Sequence, residues 1–216
     1  MIRSMSKNLP QRRRNDMKYS DKRIYLAGPD VFLPNAIEIG EKKKEICARY
    51  DFEGAFPLDN ELALDGLEPN EMGIAIYDAN VDVMESSAFV IANMTPFRGP
   101  SMDVGTAHEM GHMRGLKRPV LGYRNTTETY AQRIFHFFGE KRRHSAHPEE
   151  GGHVTDPKGV TIENFGLGDN LMVDCSVIRS GFVVIEKKVP HNEHFTNLEA
   201  FKRCVELLYE YCSTSV

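Results

Sequence analysis

The chain has 216 residues and a mass of 24.5 kDa, which is enough for one α/β domain with its own hydrophobic core. Hydrophobic residues make up 41% and charged residues 27% of the sequence, as in an ordinary globular protein. The net charge of −4 argues against a general nucleic-acid-binding protein, which would be basic. No apolar run approaches the length of a membrane span. We therefore expect neither a nucleic-acid partner nor a membrane partner.

The cysteines indicate a reducing compartment. They are scattered along the chain, form no C-x-x-C pair and follow no hydrophobic secretory segment. Neither a disulfide framework nor a cysteine zinc site is therefore expected, and we predict a cytoplasmic protein. The four positions are Cys47, Cys175, Cys204 and Cys212.

The first segment of the chain differs in character from the rest. Residues 1–21 are polar and include three consecutive arginines at 12–14. We predict that they form a disordered basic tail. Residues 22–216 are predicted to form a single domain.

From residue 22 onward, short apolar runs alternate with amphipathic segments. Apolar runs closed by glycine, proline or polar residues predict strands, and apolar spacings of three and four predict helices. In chain order this gives a strand at 23–27, a helix at 35–50, a strand at 55–57, a helix at 71–85, a strand at 88–92, a helix at 106–116, a strand at 119–123, a strand at 182–185 and a helix at 198–211.

The alternation predicts an α/β fold with a doubly wound, mostly parallel five-stranded sheet and helices on both faces, as in flavodoxin-like and Rossmann-like proteins. One stretch interrupts the pattern. Residues 139–161 are rich in glycine, proline, histidine and charge, and we predict a long polar surface loop there. Ligands of such sheets bind at the carboxyl ends of the strands.

The segment 93–115 (NMTPFRGPSMDVGTAHEMGHMRG) follows a predicted buried strand and enters a helix, so it lies where a site is expected. It holds two carboxylates, Asp103 and Glu109. It also holds His108 and His112 in an H-E-x-x-H arrangement, which on a helix could bind zinc with Glu109 as general base. Two histidines are one ligand short of a catalytic zinc site, and Arg118 stands where the extended motif has a third histidine. We predict no metal site.

A purely structural role for Glu109 is also open. Thr106 and Glu109 have the spacing of a capping box, in which the glutamate side chain would bond back to the start of the helix. On this interpretation Glu109 would stabilise the helix and carry no chemistry.

Several separate segments together resemble the nucleoside 2-deoxyribosyltransferases, and in particular the branch with a PFRG loop that includes trypanosomatid members. The resemblance extends over residues 22–172. The segments are IYLAGP at 24–29, PLDN at 57–60, residues 93–111 with PFRG, DVG and Glu109, and GLGDNLM at 166–172.

The resemblance implies that Glu109 is the nucleophile that attacks C1′ of a 2′-deoxynucleoside. Tyr25 would hold the Glu109 carboxylate through its hydroxyl group, and Asp103 would accept a hydrogen bond from the 5′-hydroxyl of the sugar. Relatives that hydrolyse nucleoside monophosphates resemble this chain but carry a serine in place of Asp103.

The other implied substrate-binding residues come from four segments. At the position of the family's base-contacting aspartate this chain has Asn80, with Asp78 and Asp82 two residues to either side. An amide cannot protonate a leaving base, so water or another group would do so, or one of the two aspartates would serve. The remaining residues are Gly28, Pro29 and Phe97, and two that reach a neighbouring subunit's site in the family, Asn170 and Met172.

The implied function is transfer of 2-deoxyribose between nucleobases through a covalent, configuration-retaining intermediate, without metal or organic cofactor. Deoxynucleosides and free nucleobases would be the ligands, and the protein would be a homo-oligomer, a dimer or a hexamer. Three alternatives remain open at this stage. They are hydrolysis of deoxynucleosides or their 5′-monophosphates on the same fold, a zinc-dependent hydrolase that uses the HEMGH segment, and a non-catalytic nucleoside-binding protein.

Overall fold

The computed structural model describes residues 20–60, 62–139 and 154–214. Five strands form one sheet in which every pairing is parallel, in the order β2-β1-β3-β4-β5. This confirms the predicted doubly wound α/β fold. The strands are β1 (Ser20–Ala27), β2 (Glu53–Ala55), β3 (Ser87–Asn93), β4 (Val120–Arg124) and β5 (Ile185–Glu186).

Helices cover both faces of the sheet. α1 (Ala36–Ala48) and α6 (Glu199–Thr214) pack together on one face, whereas α3 (Val104–Gly115) lies between α2 (Pro69–Ser86) and α5 (Leu171–Arg179) on the other. The short α4 (Tyr130–Phe137) follows β4. Among the residues that the structure describes, none of the helices combines the length and apolar character of a membrane span.

The central strands form the core because helices cover them on both sides. All seven residues of β3 are buried, which explains why its sequence is a continuous apolar run and not an alternating one. β1 lies between β3 and β2, and its residues Ile24 to Ala27 have no exposed surface. These two strands hold the carboxyl edge of the sheet in a fixed position.

Two strands are shifted relative to the sequence prediction. The strand predicted at 55–57 ends at Ala55, because Pro57 begins a 3₁₀ turn (Pro57–Asp59). The strand predicted at 182–185 is displaced to Ile185–Glu186. Phe182 instead packs its ring against Tyr211 of α6, with 5.3 Å between the ring centroids. It therefore belongs to the hydrophobic core although it lies before the strand.

Two short helices are absent from the sequence prediction. α4 begins with a capping box between Thr129 and Gln132, a signal that the sequence contained. α5 begins after Asn170, whose side chain accepts a hydrogen bond from the backbone of Met172. Both helices follow polar segments, and neither shows the long apolar period on which the prediction relied.

The predicted tail and loop fall largely on residues 1–19 and 140–153, which lie outside the described part of the chain. β1 already begins at Ser20, inside the predicted tail 1–21. Within the predicted loop 139–161, Thr155 and Thr161 form an antiparallel bridge. The Asp156 side chain accepts hydrogen bonds from the backbone of Lys158 and Val160 and closes the turn between them.

One lysine of α1 is buried, although the high lysine content of this helix is typical of a surface helix. The Lys43 side chain is 1% exposed, and its Nζ lies 2.6 Å from Oδ2 of Asp30, which is fully buried. The ammonium group also lies over the rings of Tyr123 and Phe201, at 5.6 and 5.3 Å from their centroids. A buried pair of this kind is costly to break, because the remaining charge has no water around it.

Replacing Lys43 with alanine should therefore lower the free energy of unfolding by about 3–5 kcal/mol, since Asp30 is left buried without its cation. Lys42→Ala is the matched control, because Lys42 pairs with Glu38 on the exposed side of the same helix and exposed pairs contribute little. Urea unfolding of the two variants measures the difference. Equal losses in both would contradict the role given to the buried pair.

Candidate active site

The candidate site lies where the sheet changes direction. From β1 the chain crosses to β2 on one side, and from β3 it crosses to β4 on the other, so the two connections diverge at the carboxyl ends of β1 and β3. Such a switch point leaves a crevice in which α/β proteins bind ligands. Gly28 and Pro29 follow β1 directly, and the segment 94–103 follows β3.

Gly28 allows the ends of these two strands to approach each other. A β-carbon at this position would lie 2.3 Å from Oδ2 of Asp30 and 2.8 Å from the β-carbon of Asn93, too close for any side chain. The Asn93 amide donates a hydrogen bond of 3.1 Å to Oδ1 of Asp30. Pro29 is buried at the start of the 3₁₀ turn that follows. Gly28 and Pro29 thus lie close-packed at the carboxyl end of β1, next to the end of β3.

Tyr25 of β1 and Glu109 of α3 are joined by a hydrogen bond. The Tyr25 hydroxyl group donates to Oε1 of Glu109 at a distance of 2.6 Å. Tyr25 has no exposed surface, so its ring is held by the core, and its hydroxyl group fixes the carboxylate. The second oxygen, Oε2, makes no hydrogen bond with any residue that the structure describes, which leaves it available to a ligand.

Burial raises the pKa of Glu109 to about 7. The hydrogen bond from Tyr25 opposes this shift, and the negative charge of Asp103 adds to it. Burial and the same carboxylate raise the pKa of Tyr25 above its ordinary value, so the tyrosine remains a protonated donor. The site therefore holds a carboxylate of high proton affinity beside a permanent hydrogen-bond donor, an arrangement common at catalytic centres.

Asp103 begins α3 and leaves one carboxylate oxygen unused. Its Oδ2 accepts hydrogen bonds from the backbone N–H and the side-chain hydroxyl group of Thr106, at 2.8 and 2.9 Å. Its Oδ1 bonds to none of the described residues. The capping box considered for Thr106 and Glu109 is not formed, because the helix starts at Val104 and Asp103 is its cap. Glu109 lies in the second helical turn, not the first, and bonds to Tyr25 instead.

Phe97 belongs to an aromatic cluster above the crevice. Its ring stacks on Phe32, with centroids 5.5 Å apart and planes 12° apart, and meets Phe195 edge-on at 5.9 Å. The guanidinium group of Arg98 lies over both rings of the stacked pair, 4.6 and 5.1 Å from their centroids. Phe32 is 55% exposed, so the cluster presents an aromatic surface to solvent.

A cavity of about 420 Å³ lies beside Phe97, and among the predicted site residues in the described part of the chain Phe97 alone lines it. Neither Tyr25 nor Asp103 contributes to its wall. The carboxylates of Asp103 and Glu109 therefore do not belong to the lining of this cavity. The lining residues are Pro96, Phe97, Arg98, Gly99, Thr126, Glu128, Arg133, His191, His194 and Phe195.

Asn80 lies on α2, three residues after Tyr77, so the two share a side of that helix. The ring of Tyr77 lies 6.2 Å from that of His108, the residue before Glu109. Asn80 is partly buried and makes no hydrogen bond to a described residue, whereas Asp78 and Asp82 are exposed. Of the three candidates for contact with the base, Asn80 is the most enclosed.

The two histidines of the HEMGH segment face α2. His108 lies beside Tyr77, and Nε2 of His112 lies 4.0 Å from Glu85. Within the described ranges, no three histidine, cysteine or acidic side chains are grouped closely enough to hold a metal ion. The motif therefore has no third ligand among these residues.

Asn170 and Met172 lie at the start of α5. The Asn170 amide donates to Oε1 of Glu163 at 2.8 Å, and its oxygen accepts from the backbone of Met172 at 2.9 Å. The Met172 side chain is 70% exposed. No hydrogen bond among the described residues joins Asn170 to Tyr25, Asp103 or Glu109. The structure thus brings together Tyr25, Asp103 and Glu109 and leaves Asn170 and Met172 outside that group.

Sequence reasoning missed a set of buried charges around the crevice. Asp30, Lys43, Arg124 and Asp174 are at most 5% exposed in their side chains, and each has an oppositely charged partner in this set. Charged residues are expected at the surface, and nothing in the local pattern marks these as buried. The one available signal was the position of Asp30, directly after the glycine and proline that close β1.

Comparison with known proteins identifies the class to which this fold and crevice belong. The sequence profile of the nucleoside 2-deoxyribosyltransferases matches residues 24–172. The chain is therefore a member of the nucleoside 2-deoxyribosyltransferase family.

The chain is also similar to several individual proteins. The chain is similar to a 2-desoxiribosyltransferase from Leishmania mexicana, with a TM-score of 0.56 and 25% identity over 86% of this chain and 97% of that one. It is 28% identical over 190 residues to an uncharacterized protein of Schizosaccharomyces pombe, which covers 85% of this chain and 86% of the relative. A 2-deoxyribosyltransferase from Bacillus psychrosaccharolyticus has a TM-score of 0.42 and 21% identity over 49% of this chain and 74% of that one.

The shifted pKa of Glu109 can be measured directly. A ¹³C NMR titration of its carboxyl group should show a midpoint at about 7, not at the ordinary value of 4.5. Tyr25→Phe should move the midpoint upward, because the hydrogen bond that lowers the pKa is lost. Tyr123→Phe is a matched control on a buried strand and should leave the midpoint in place. An unshifted midpoint in Tyr25→Phe would contradict the pairing.

Proposed function

We propose that this protein transfers 2-deoxyribose from a 2′-deoxynucleoside to a free nucleobase, with Glu109 as the nucleophile. The observation that carries the proposal is the hydrogen bond of 2.6 Å from the buried Tyr25 hydroxyl group to Glu109. It lies in the crevice of a fold whose family is defined by this reaction. One carboxylate oxygen is fixed, and the other remains available for attack.

The reaction would proceed in two displacements at C1′ of the sugar. Glu109 Oε2 forms a bond to C1′ while the bond from C1′ to the base nitrogen breaks, and the departing base takes up a proton. A nitrogen of the second base then attacks C1′ from the face that the first base left. The second base gives up its N–H proton to water, which balances the proton that the first base took up. The bond to Glu109 breaks, the carboxylate is restored, and the configuration at C1′ is retained, as in retaining glycosidases.

Burial of Glu109 would favour the first displacement. A carboxylate with a raised pKa is poorly stabilised by its surroundings, and attack on C1′ converts its charge into a neutral ester bond. The hydrogen bond from Tyr25 partly offsets the destabilisation of the carboxylate. It also holds Oε1, so that the side chain stays in one orientation for in-line attack. The reaction as proposed needs neither a metal ion nor an organic cofactor.

The other residues would bind the two ends of the substrate. The unused Oδ1 of Asp103 would accept a hydrogen bond from the 5′-hydroxyl group, while Oδ2 continues to cap α3. Phe97 would pack against the base, and Asn80 would donate its amide hydrogens to it. Gly28 and Pro29 would form the wall behind the sugar, since they directly follow β1 at the switch point of the sheet.

We also propose that the protein works as a homo-oligomer in which Asn170 and Met172 reach a neighbouring site. The helical face formed by α2, α3 and α5 supports this, because it exposes large apolar side chains that a monomer would leave in water. Sedimentation analysis tests the proposal, and a fully active monomer would refute it. The exposed side chains are Ile74, Tyr77, Val104, Met172 and Ile178.

The experiment that tests the function mixes the protein with a deoxynucleoside and a different free base, and separately with the deoxynucleoside alone. We expect a new nucleoside in the first mixture, because the second base completes the transfer. Glu109→Ala should lower the rate by at least about 1000-fold, since losing a covalent nucleophile costs several kcal/mol of barrier. Chromatography of the bases and nucleosides measures both results.

The matched control for Glu109→Ala is His112→Ala on the same helix, which should remain active, as should the wild type with a chelator. A folded Glu109→Ala variant that keeps more than about 5% of the rate would refute the assignment of the nucleophile. Release of free sugar with no new nucleoside would indicate hydrolysis in place of transfer. Loss of activity on removal of stoichiometric zinc would favour the metal-dependent alternative.

Asp103 should also determine the preference of the enzyme for nucleosides over their 5′-monophosphates. A carboxylate facing a phosphate of about −2 charge should disfavour the monophosphate by about 100-fold in kcat/KM. Asp103→Ser removes the charge and retains a good helix cap, so the variant should lose most of this discrimination without unfolding. Competition between the two substrates measures the ratio, and equal kcat/KM values in the wild type would contradict the role of Asp103.

A further inference from the structure

A single buried carboxylate joins the loop that ends in Asp103 to the segment that begins α5. Asp169 is 1% exposed. Its Oδ1 accepts hydrogen bonds from the Ser101 hydroxyl group at 2.5 Å and from the backbone of Asn170 at 2.8 Å. Its Oδ2 accepts from the backbone of Met102 at 2.9 Å. The carboxylate thus fixes the two residues that precede Asp103 and the residue that caps α5.

Arg133 of α4 completes this arrangement from the other side. Its Nη2 lies 3.2 Å from Oδ2 of Asp169 and also donates to the backbone oxygen of Gly168. Its Nε donates to the backbone oxygen of Pro100 at 2.6 Å, and its Nη1 to that of Glu128 at 2.6 Å. The guanidinium group therefore binds both the loop that ends in Asp103, at Pro100, and the segment that begins α5, at Gly168.

We propose that Asp169 is the positioning residue for the 5′-hydroxyl end of the substrate. The proposal rests on the function proposed above, in which Asp103 binds the 5′-hydroxyl group and Asn170 reaches a neighbouring site. Because Asp169 bonds to the Met102 N–H, it fixes the backbone next to Asp103. Because it bonds to the Asn170 N–H, it fixes that residue too. A displacement of about 1 Å at such a group is enough to lower a rate substantially.

The hydrogen bonds of Asp169 require a carboxylate. An asparagine at this position would have one amide nitrogen, which can donate but not accept. Turned toward Oδ1, the nitrogen would face the N–H of Asn170, and turned toward Oδ2, it would face the N–H of Met102 and the guanidinium group of Arg133. Either orientation sets a donor against a donor, so the loop or the segment must move.

The test compares a 2′-deoxynucleoside with the corresponding 2′,5′-dideoxynucleoside, which lacks the 5′-hydroxyl group. In the wild type the first should have the higher kcat/KM. In Asp169→Asn the ratio of the two kcat/KM values should fall by about tenfold. The fall should come mainly from a lower kcat/KM for the 2′-deoxynucleoside, since the other substrate has no 5′-hydroxyl group for Asp103 to bind. Ser101→Ala, which removes one hydrogen bond, should lower the ratio in the same direction by a smaller factor.

Asp174→Asn is the matched control. Asp174 is also buried on α5, pairs with Arg124 and accepts a hydrogen bond from Gly168, but it has no bond to the loop 96–103 among the described residues. This variant should keep the wild-type ratio even if both of its rates fall. It therefore separates a general loss of packing from a loss of positioning.

The outcomes discriminate between this proposal and the one on which it rests. A folded Asp169→Asn variant with the wild-type ratio, or with equal losses on both substrates, overturns the positioning role alone. If Asp169→Asn does not fold, an unchanged ratio in Ser101→Ala overturns it. A wild-type protein that processes neither substrate overturns the proposed function, and the positioning role with it.

Discussion

The carboxyl ends of β1 and β3 are joined by one buried group, the Asp30 carboxylate. It accepts a hydrogen bond from Asn93 at the end of β3 and is neutralised by Lys43 from α1. This side-chain connection lies just beyond the last backbone pairing of the two strands, at Ala27 and Ala92. Gly28 allows the contact by leaving no side chain between them. The positions of Tyr25 and Glu109 depend on the frame that results.

Two further buried pairs extend the same principle along the carboxyl edge of the sheet. Arg124 at the end of β4 pairs with Asp174, and Arg133 pairs with Asp169. Buried pairs contribute little net stability compared with apolar packing, but each specifies one arrangement, because any other leaves a charge unpaired. At the carboxyl edge of the sheet, buried ion pairs occupy positions where apolar side chains could pack, and they specify the geometry of the loops.

The sequence was sufficient to predict the fold class, because strands buried on both faces give continuous apolar runs such as residues 88–92. It also indicated Glu109 and Tyr25 as a pair, but only through the resemblance to a family, since no local pattern connects residues 84 positions apart. The sequence left the cap of α3 open, because Thr106 and Asp103 both suit a helix start. The burial of Lys43 could not be predicted, since it depends on tertiary packing alone, and the only signal for Asp30 was its position after the end of β1.

The buried carboxylate at the centre of the crevice also has a thermodynamic consequence for the whole chain. The pKa of Glu109 is about 7 in the folded protein and near 4.5 in an unfolded chain. Between these values the folded state binds more protons than the unfolded state, so the contribution of Glu109 to stability falls as the pH rises through this window. Above it, the folded protein carries the full cost of a desolvated charge. The fold is therefore strained at this position under the same conditions in which the carboxylate is ionised and able to react.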